Sequence, residues 1–183
     1  MSHLQIYPAT AQDTPPGPTL ATADPVQIAQ ALAERGIAFQ RWPARVALAP
    51  GAQPEQILAA YAPEIRRVQA DGRYGTVDAI RMVPDHPERQ ALRQTFLAEH
   101  THSEDEVRFF VEGQGLFCLH IGSEVLQLLC TADDFLQVPA GTRHWFDMGS
   151  APQFTAIRFF NNAEGWVAQF TGDPIASRYP TLP

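Results

Sequence analysis

His100-Thr101-His102-Ser103-Glu104-Asp105-Glu106-Val107-Arg108 is the stretch on which the reading of this chain turns. It places three metal-competent side chains, His100, His102 and Glu106, within one short run. Successive side chains on a strand point to opposite faces. On an unbroken strand the even-numbered His100, His102, Glu106 and Arg108 therefore share a face, and the two imidazoles lie close enough to hold one ion. Two histidines at this spacing can equally be a surface pair, so their companions decide. Those companions are Glu106, a glycine at Gly113, and the later turn Pro139-Ala140-Gly141-Thr142-Arg143-His144. Pro and Gly tighten that turn, and His144 opens the next strand, where it can face the same interior. Imidazole and carboxylate together suit borderline divalent ions such as Fe, Ni, Mn or Zn. Structural zinc sites are closed and usually cysteine-rich. This set contains no cysteine. Four protein ligands on a six-coordinate ion would leave two positions open, which favours catalysis over structure.

Downstream of this stretch, short apolar or alternating runs follow one another: 107–111, 115–121, 125–129, 135–138, 144–147 and 154–160. Gly, Asp, Pro and Ser fall between them. Many short strands at regular spacing predict an antiparallel barrel or sandwich. Upstream the pattern is helical. Asp24-Pro25 opens a helix with Ile28, Ala31 and Leu32 on its apolar side, and Gly36 stops it. A short strand is expected over 37–42, helices over 54–61 and 63–70, a strand over 76–83 and a helix over 87–97. Residues 9–25, rich in Pro, Thr and Ala, read as extended and poorly regular, and His3 as part of a loose terminus. The expectation is a single domain over 1–183: a helical front part with early strands (1–98), barrel motifs (99–170) and a C-terminal tail (171–183).

Composition narrows the chemistry further. Hydrophobic residues make up 45 % and charged residues 18 % of the 183 positions, the balance of a globular protein. The net charge is −7 and no basic block stands out, so binding to nucleic acid or to an anionic membrane is not expected. All 13 basic residues are arginines. Without lysine there is no Schiff-base chemistry and no phosphate-loop lysine. Cys118 and Cys130 form no C-x-x-C pair and are expected as two buried free thiols. No apolar run precedes the first basic residue, Arg35, and no stretch approaches the ~18 apolar residues of a membrane span. A cytoplasmic protein, taken as a monomer, is expected.

H-x-H-x-x-x-E-x6-G resembles the first cupin motif, and P-x-G-x-x-H resembles part of the second. Two positions depart from the pattern: Asp133 stands where the second motif commonly opens with Gly, and Met148 where it commonly closes with Asn. Within the cupins, the run from Phe96 to Gly113 is similar to the acireductone dioxygenase family. Pro84-Asp85-His86-Pro87 and Ile157-Arg158-Phe159-Phe160 fit as well, and the likeness spans about residues 25–170. It implies a cupin β-barrel (a double-stranded β-helix or jelly roll) with N-terminal helices packed on it. It also implies Fe(II) or Ni(II), one per chain, as cofactor, and a small enediol plus O2 as partners. The implied activity is oxidation of acireductone in methionine salvage. With Fe(II) the products are formate and a 2-keto acid. With Ni(II) they are formate, carbon monoxide and methylthiopropanoate.

Side chains around the ligands have both functional and plain structural readings. An arginine inside a barrel is costly unless it meets an anion, so Arg108 is expected to stabilise the substrate dianion; pairing with a structural carboxylate is the alternative. Arg158 is read either as interior to the pocket or as half of an ion pair. Glu99 and Asp105 point away from the metal by parity. The family treats these positions as helpers, and two solvated acids are the alternative. Phe96, Phe146 and Trp166 are candidates for an apolar wall or for plain core. His86 and His120 are expected to be ordinary.

Overall fold

The computed structural model describes residues 1–163 and 166–183. Its organising element is one long strand, β6 (Glu106–Ile121), where two strands, 107–111 and 115–121, were expected. The other strands are β1 (His3–Pro8), β2 (Leu20–Thr22), β3 (Ala38–Arg41), β4 (Thr76–Met82), β5 (His100–Thr101), β7 (Glu124–Thr131), β8 (Asp134–Val138), β9 (Arg143–Asp147), β10 (Phe154–Phe160) and β11 (Gln169–Phe170). The first half of β6 pairs with β8 and β10, and its second half with β7 and β9. Two antiparallel sheets result, β2-β1-β7-β6-β9-β5-β11 and β3-β8-β6-β10-β4, joined through β6. This is the expected jelly-roll architecture. Strand pairs among the described residues do not close it into a ring.

The joint lies at Gly113. Its φ is +69°, and a Cβ there would sit 1.8 Å from the Gln153 carbonyl oxygen, so only glycine fits. A register shift at Thr155/Ala156 against β6 adds to the bend. Across it the parity of β6 inverts. Before Gly113 the even residues point inward: Phe110 joins the central core, while Val107, Phe109 and Val111 join a second cluster. After it the odd residues do: Phe117 and Leu119 are central, while Leu116 and Cys118 pack on the outside. The central core runs from Leu4 and Ile6 on β1 through Leu126 and Leu128 on β7 to Phe154 on β10. Each such burial contributes roughly 1.5–3 kcal/mol.

The helices pack on these sheets. α1 (Pro25–Ala33) is capped by Asp24, whose carboxylate accepts from the Val26 N–H at 2.8 Å, and buries the predicted Ile28, Ala31 and Leu32. α2 (Pro54–Ala60) and α3 (Ala62–Gln69) cover the second cluster through Ile57 and Ile65. α4 spans Arg89–Leu97 and starts two residues later than expected.

The N-terminus corrects the sequence reading. Residues 3–8 form β1 beside β7, with His3 opposite Leu129, so His3 is not in a loose terminus. Residues 20–22, inside the stretch read as irregular, form β2 beside β1. Alternating Leu4 and Ile6 drive this, since both are fully buried. Cys118 and Cys130 are free and buried, as expected.

Candidate metal centre and cavity

The four expected ligands converge, but not from one strand. His100 lies on β5 and Glu106 opens β6, while residues 102–105 form a connection between them. The assumption of a strand running unbroken from His100 to Arg108 is therefore corrected. Ser103, Glu104 and Asp105 are too polar to continue a buried ladder. Instead the His102 carbonyl accepts from the Gly141 N–H at 2.9 Å, and Asp105 accepts from the Ala140 N–H at 3.0 Å. Both bonds seize the 139–142 turn that carries His144. His100 and His144 are opposite partners on β5 and β9. Ring centroids of the three histidines lie 4.4–5.0 Å apart, and their ligand atoms fall within 4.8 Å of one another.

Each imidazole is oriented by a backbone carbonyl. His100 Nδ1 faces Ala98 O at 2.7 Å, His102 Nδ1 faces Val167 O at 3.1 Å, and His144 Nδ1 faces Thr142 O at 2.8 Å. A carbonyl only accepts, so each Nδ1 donates and each Nε2 is left to present a lone pair to the centre. Glu106 Oε2 meets this group, 2.9 Å from His144 Nε2 and 3.1 Å from His102 Nε2. Both Glu106 Oε2 and His144 Nε2 are buried and have no hydrogen-bond partner among the described residues. Inward lone pairs gathered around a buried carboxylate call for a cation, so the residues fit a divalent metal.

Electrostatics agree. Burial, then the neighbouring His144, pushes the His100 imidazole down to about 4, keeping it neutral and free to coordinate. Burial would raise Glu106, but the Arg108 charge, followed by His144 and His102, holds its carboxyl well below the usual range. Burial would lower His102, but the hydrogen bond and charge of Glu106 raise it. Glu106 thus brings its negative charge to the place a metal ion would take.

A cavity of about 110 Å³ opens beside this cluster. Arg108, Arg158, Phe96, Phe146 and Trp166 all line it, together with Thr95, Ala168 and Phe170, which the sequence reading did not single out. Arg108 is buried and donates from Nε to Glu106 Oε1 at 2.7 Å, with its guanidinium 4.9 Å from the Phe146 ring and 5.2 Å from Trp166. Arg158 makes the ion pair that was one of its two readings, with two bonds of 2.8 and 2.6 Å to Asp78, and still reaches the cavity. Trp166 lies 6.0 Å from His102 in a stacked arrangement, and its indole N–H donates to the Asp105 carbonyl at 3.0 Å.

Both flanking acids are hydrogen-bonded, Asp105 while only half-buried. Glu99 is buried and turned away from the ligands, as parity required. Its Oε1 meets His120 Nδ1 at 2.6 Å, and its Oε2 accepts from the Thr171 hydroxyl at 2.6 Å. His120 is therefore a buried partner of Glu99 and no isolated histidine. Sequence order hid the pair, because the two residues are 21 apart and meet only where β5 and β6 flank β9. Asp105 accepts from the Tyr74 hydroxyl at 2.9 Å. His86 accepts at Nδ1 from the Glu88 N–H at 3.2 Å, an ordinary loop contact.

Comparison with known proteins places this geometry. Residues 10–168 match the ARD/ARD' family. An acireductone dioxygenase of Prochlorococcus marinus (strain MIT 9313) is 66 % identical over 185 residues, covering 100 % of both chains. One from Synechococcus sp. (strain RCC307) is 64 % identical, covering 100 % of this chain and 99 % of the relative. A solved acireductone dioxygenase from Bacillus anthracis, with a cadmium ion in its active centre, superposes with a TM-score of 0.78 at 26 % identity, over 93 % of this chain and 98 % of that one. Likeness that runs the length of both chains decides the lineage: this chain belongs to the ARD/ARD' family, the acireductone dioxygenases.

Proposed function

We propose that this chain is itself an acireductone dioxygenase, cleaving 1,2-dihydroxy-3-keto-5-methylthiopentene with O2 in methionine salvage. The observation that carries the reading is the set of inward Nε2 lone pairs around Glu106 Oε2, opening onto a cavity lined by Arg108 and aromatic rings. His100, His102, Glu106 and His144 would hold one Fe(II) or Ni(II). When bound, such an ion supplies a Lewis-acidic point that orients the enediol and favours its anionic form.

The chain's own residues do the rest. Arg108 carries a positive charge into a low-dielectric cavity, where it stabilises the substrate dianion. Glu106 Oε1 fixes the direction of that guanidinium. Phe96, Phe146 and Trp166 accept the methylthio end and exclude water from the oxidation-prone enediolate. Arg158, held by Asp78, adds a second cation behind Trp166, 5.6 Å from its ring. Asp105 positions the 139–142 turn and Trp166 together. With Fe(II) the products are formate and 4-methylthio-2-oxobutanoate; with Ni(II) they are formate, carbon monoxide and methylthiopropanoate. Residues 1–183 act as one cupin domain and as a monomer. Two buried free thiols suit the reducing cytoplasm, and among the described residues no helix is long and apolar enough to cross a membrane.

The test is direct. Fe(II)-loaded protein is expected to consume O2, bleach the enediolate absorbance of acireductone and release formate. Bleaching no faster than in buffer would overturn the assignment. Analysing products with each metal separately decides which branch the chain supports.

A further inference from the structure

On the far side of the cavity wall lies a cluster that the reaction does not use. Asp147, at the end of β9, is 1 % exposed and accepts four hydrogen bonds. Arg93 of α4 supplies two, from Nε at 2.7 Å and from Nη2 at 3.1 Å. Backbone N–H groups of Gly149 and Leu182 supply the others, at 2.9 and 2.8 Å. Arg93 Nη2 also donates to the Leu182 carbonyl at 2.6 Å. Leu182 is thus gripped at both its backbone groups, by an acid on β9 and a base on α4.

The helix needs such a grip. None of the side chains of α4 is fully buried; Leu92, Phe96 and Leu97 pack part-buried against the cores, and the clasp adds direction to that packing. The helix brings Thr95 and Phe96 to the cavity, and Phe96 meets Phe146 of β9 edge-on at 6.5 Å. One residue beyond the helix end, the Ala98 carbonyl orients His100 at 2.7 Å. A tilt of α4 therefore moves the apolar wall first.

We infer that Arg93 and Asp147 are positioning residues: their clasp with Leu182 sets the tilt of α4, and so the fit of Phe96 to the substrate's alkylthio tail. A bidentate guanidinium–carboxylate pair fixes direction as well as distance, which an ammonium does not. The inference rests on the acireductone dioxygenase reading for its substrate but not for its geometry. Arg93→Lys keeps the charge and loses the fork, while Arg93→Met loses both. Metal-loaded wild type and both variants are compared on acireductone and on its tail-less methyl-ketone analogue. For acireductone KM is expected to rise a few-fold with Lys and about tenfold with Met, the scale of a lost apolar pocket contact. The kcat is expected to stay within about twofold, and KM for the tail-less analogue to stay unchanged. A fall in kcat at constant KM, or an equal rise in KM for both substrates, would overturn the inference. Hydrogen exchange over residues 92–97 is measured on the same samples, without substrate. Faster exchange in both variants, with β6 unaffected, is expected; wild-type protection over α4 sinks the proposal. If wild type turns over neither substrate, the functional reading fails, and hydrogen exchange still decides whether the clasp holds the helix.

Discussion

Inside and outside the jelly roll, a buried acid meets histidine, and the two groups solve the same problem in opposite ways. On the inner face, Glu106 meets His102 and His144, whose Nδ1 atoms are already spent on backbone carbonyls. Lone pairs face lone pairs, and Glu106 Oε2 and His144 Nε2 have no hydrogen-bond partner among the described residues. On the outer face, Glu99 meets His120 at Nδ1, and its second oxygen takes the Thr171 hydroxyl. That pair is complete in itself. Residue type does not separate the two groups, since both are glutamate with histidine below a tenth exposed. What separates them is the nitrogen turned toward the acid. A ring whose donor faces the acid is finished; a ring whose donor is taken elsewhere is waiting for a cation.

The comparison can be broken in several ways. The largest effect is expected from His102→Ala, which should lose the bound metal and more than ~100-fold of the activity. Partners that only orient a ligand already cost 10–100-fold, and metal analysis alongside O2 uptake reads both losses. A variant that keeps full metal occupancy would mean that the inner group is not what holds the ion. Next is metal-linked stability. Adding Fe(II) or Ni(II) at about 100 times its Kd to chelator-treated wild type should stabilise it by about 2.7 kcal/mol, seen as a rise in melting temperature. The same addition should leave His102→Ala unmoved, and an equal rise in both would point to binding elsewhere. Arg108→Lys should keep its metal but lower kcat/KM roughly 10–100-fold, the worth of one hydrogen bond to a charged group. Steady-state kinetics at matched metal content checks this. The smallest effect falls on the outer pair. His120→Ala leaves Glu99 Oε1 buried without its partner and should cost about 1–3 kcal/mol of stability, while metal content and the metal-induced rise in melting temperature persist. Loss of metal in that variant would erase the distinction between the faces.

Motif spacing in the sequence carried much of the site. His100, His102, Glu106 and His144 were named from residue types and intervals, and Arg108 from parity. His102 is not on a strand at all, and reaches the centre because its carbonyl and Asp105 bind the 139–142 turn. Beyond Gly113 the inward face changes from even to odd residues. That inversion puts His120 on the outer face, beside Glu99. No periodicity taken from 106–112 could have foreseen it, because it depends on a glycine with positive φ and on the register shift in β10. Asp133 has the same lesson in reverse. It stands where glycine is common and holds a φ of +84°. The Ala44 N–H, donating to its carboxylate at 2.7 Å, compensates for the strain.

By itself, the sequence determined the fold class, the cluster of metal-competent side chains and the chemistry it excludes. These are properties of residue type and local spacing: a chain without lysine, a H-x-H-x-x-x-E pattern, short alternating strands. Only the tertiary structure decided which histidines wait for a cation and which are sealed, since that depends on carbonyls brought from 98, 142 and 167. It also decided that β1 and β2 complete the first sheet, and that Arg93, Asp147 and Leu182 meet behind the cavity wall. Such partners lie tens of residues apart along the chain. Their pairing is a matter of chain path and burial, which local pattern does not encode.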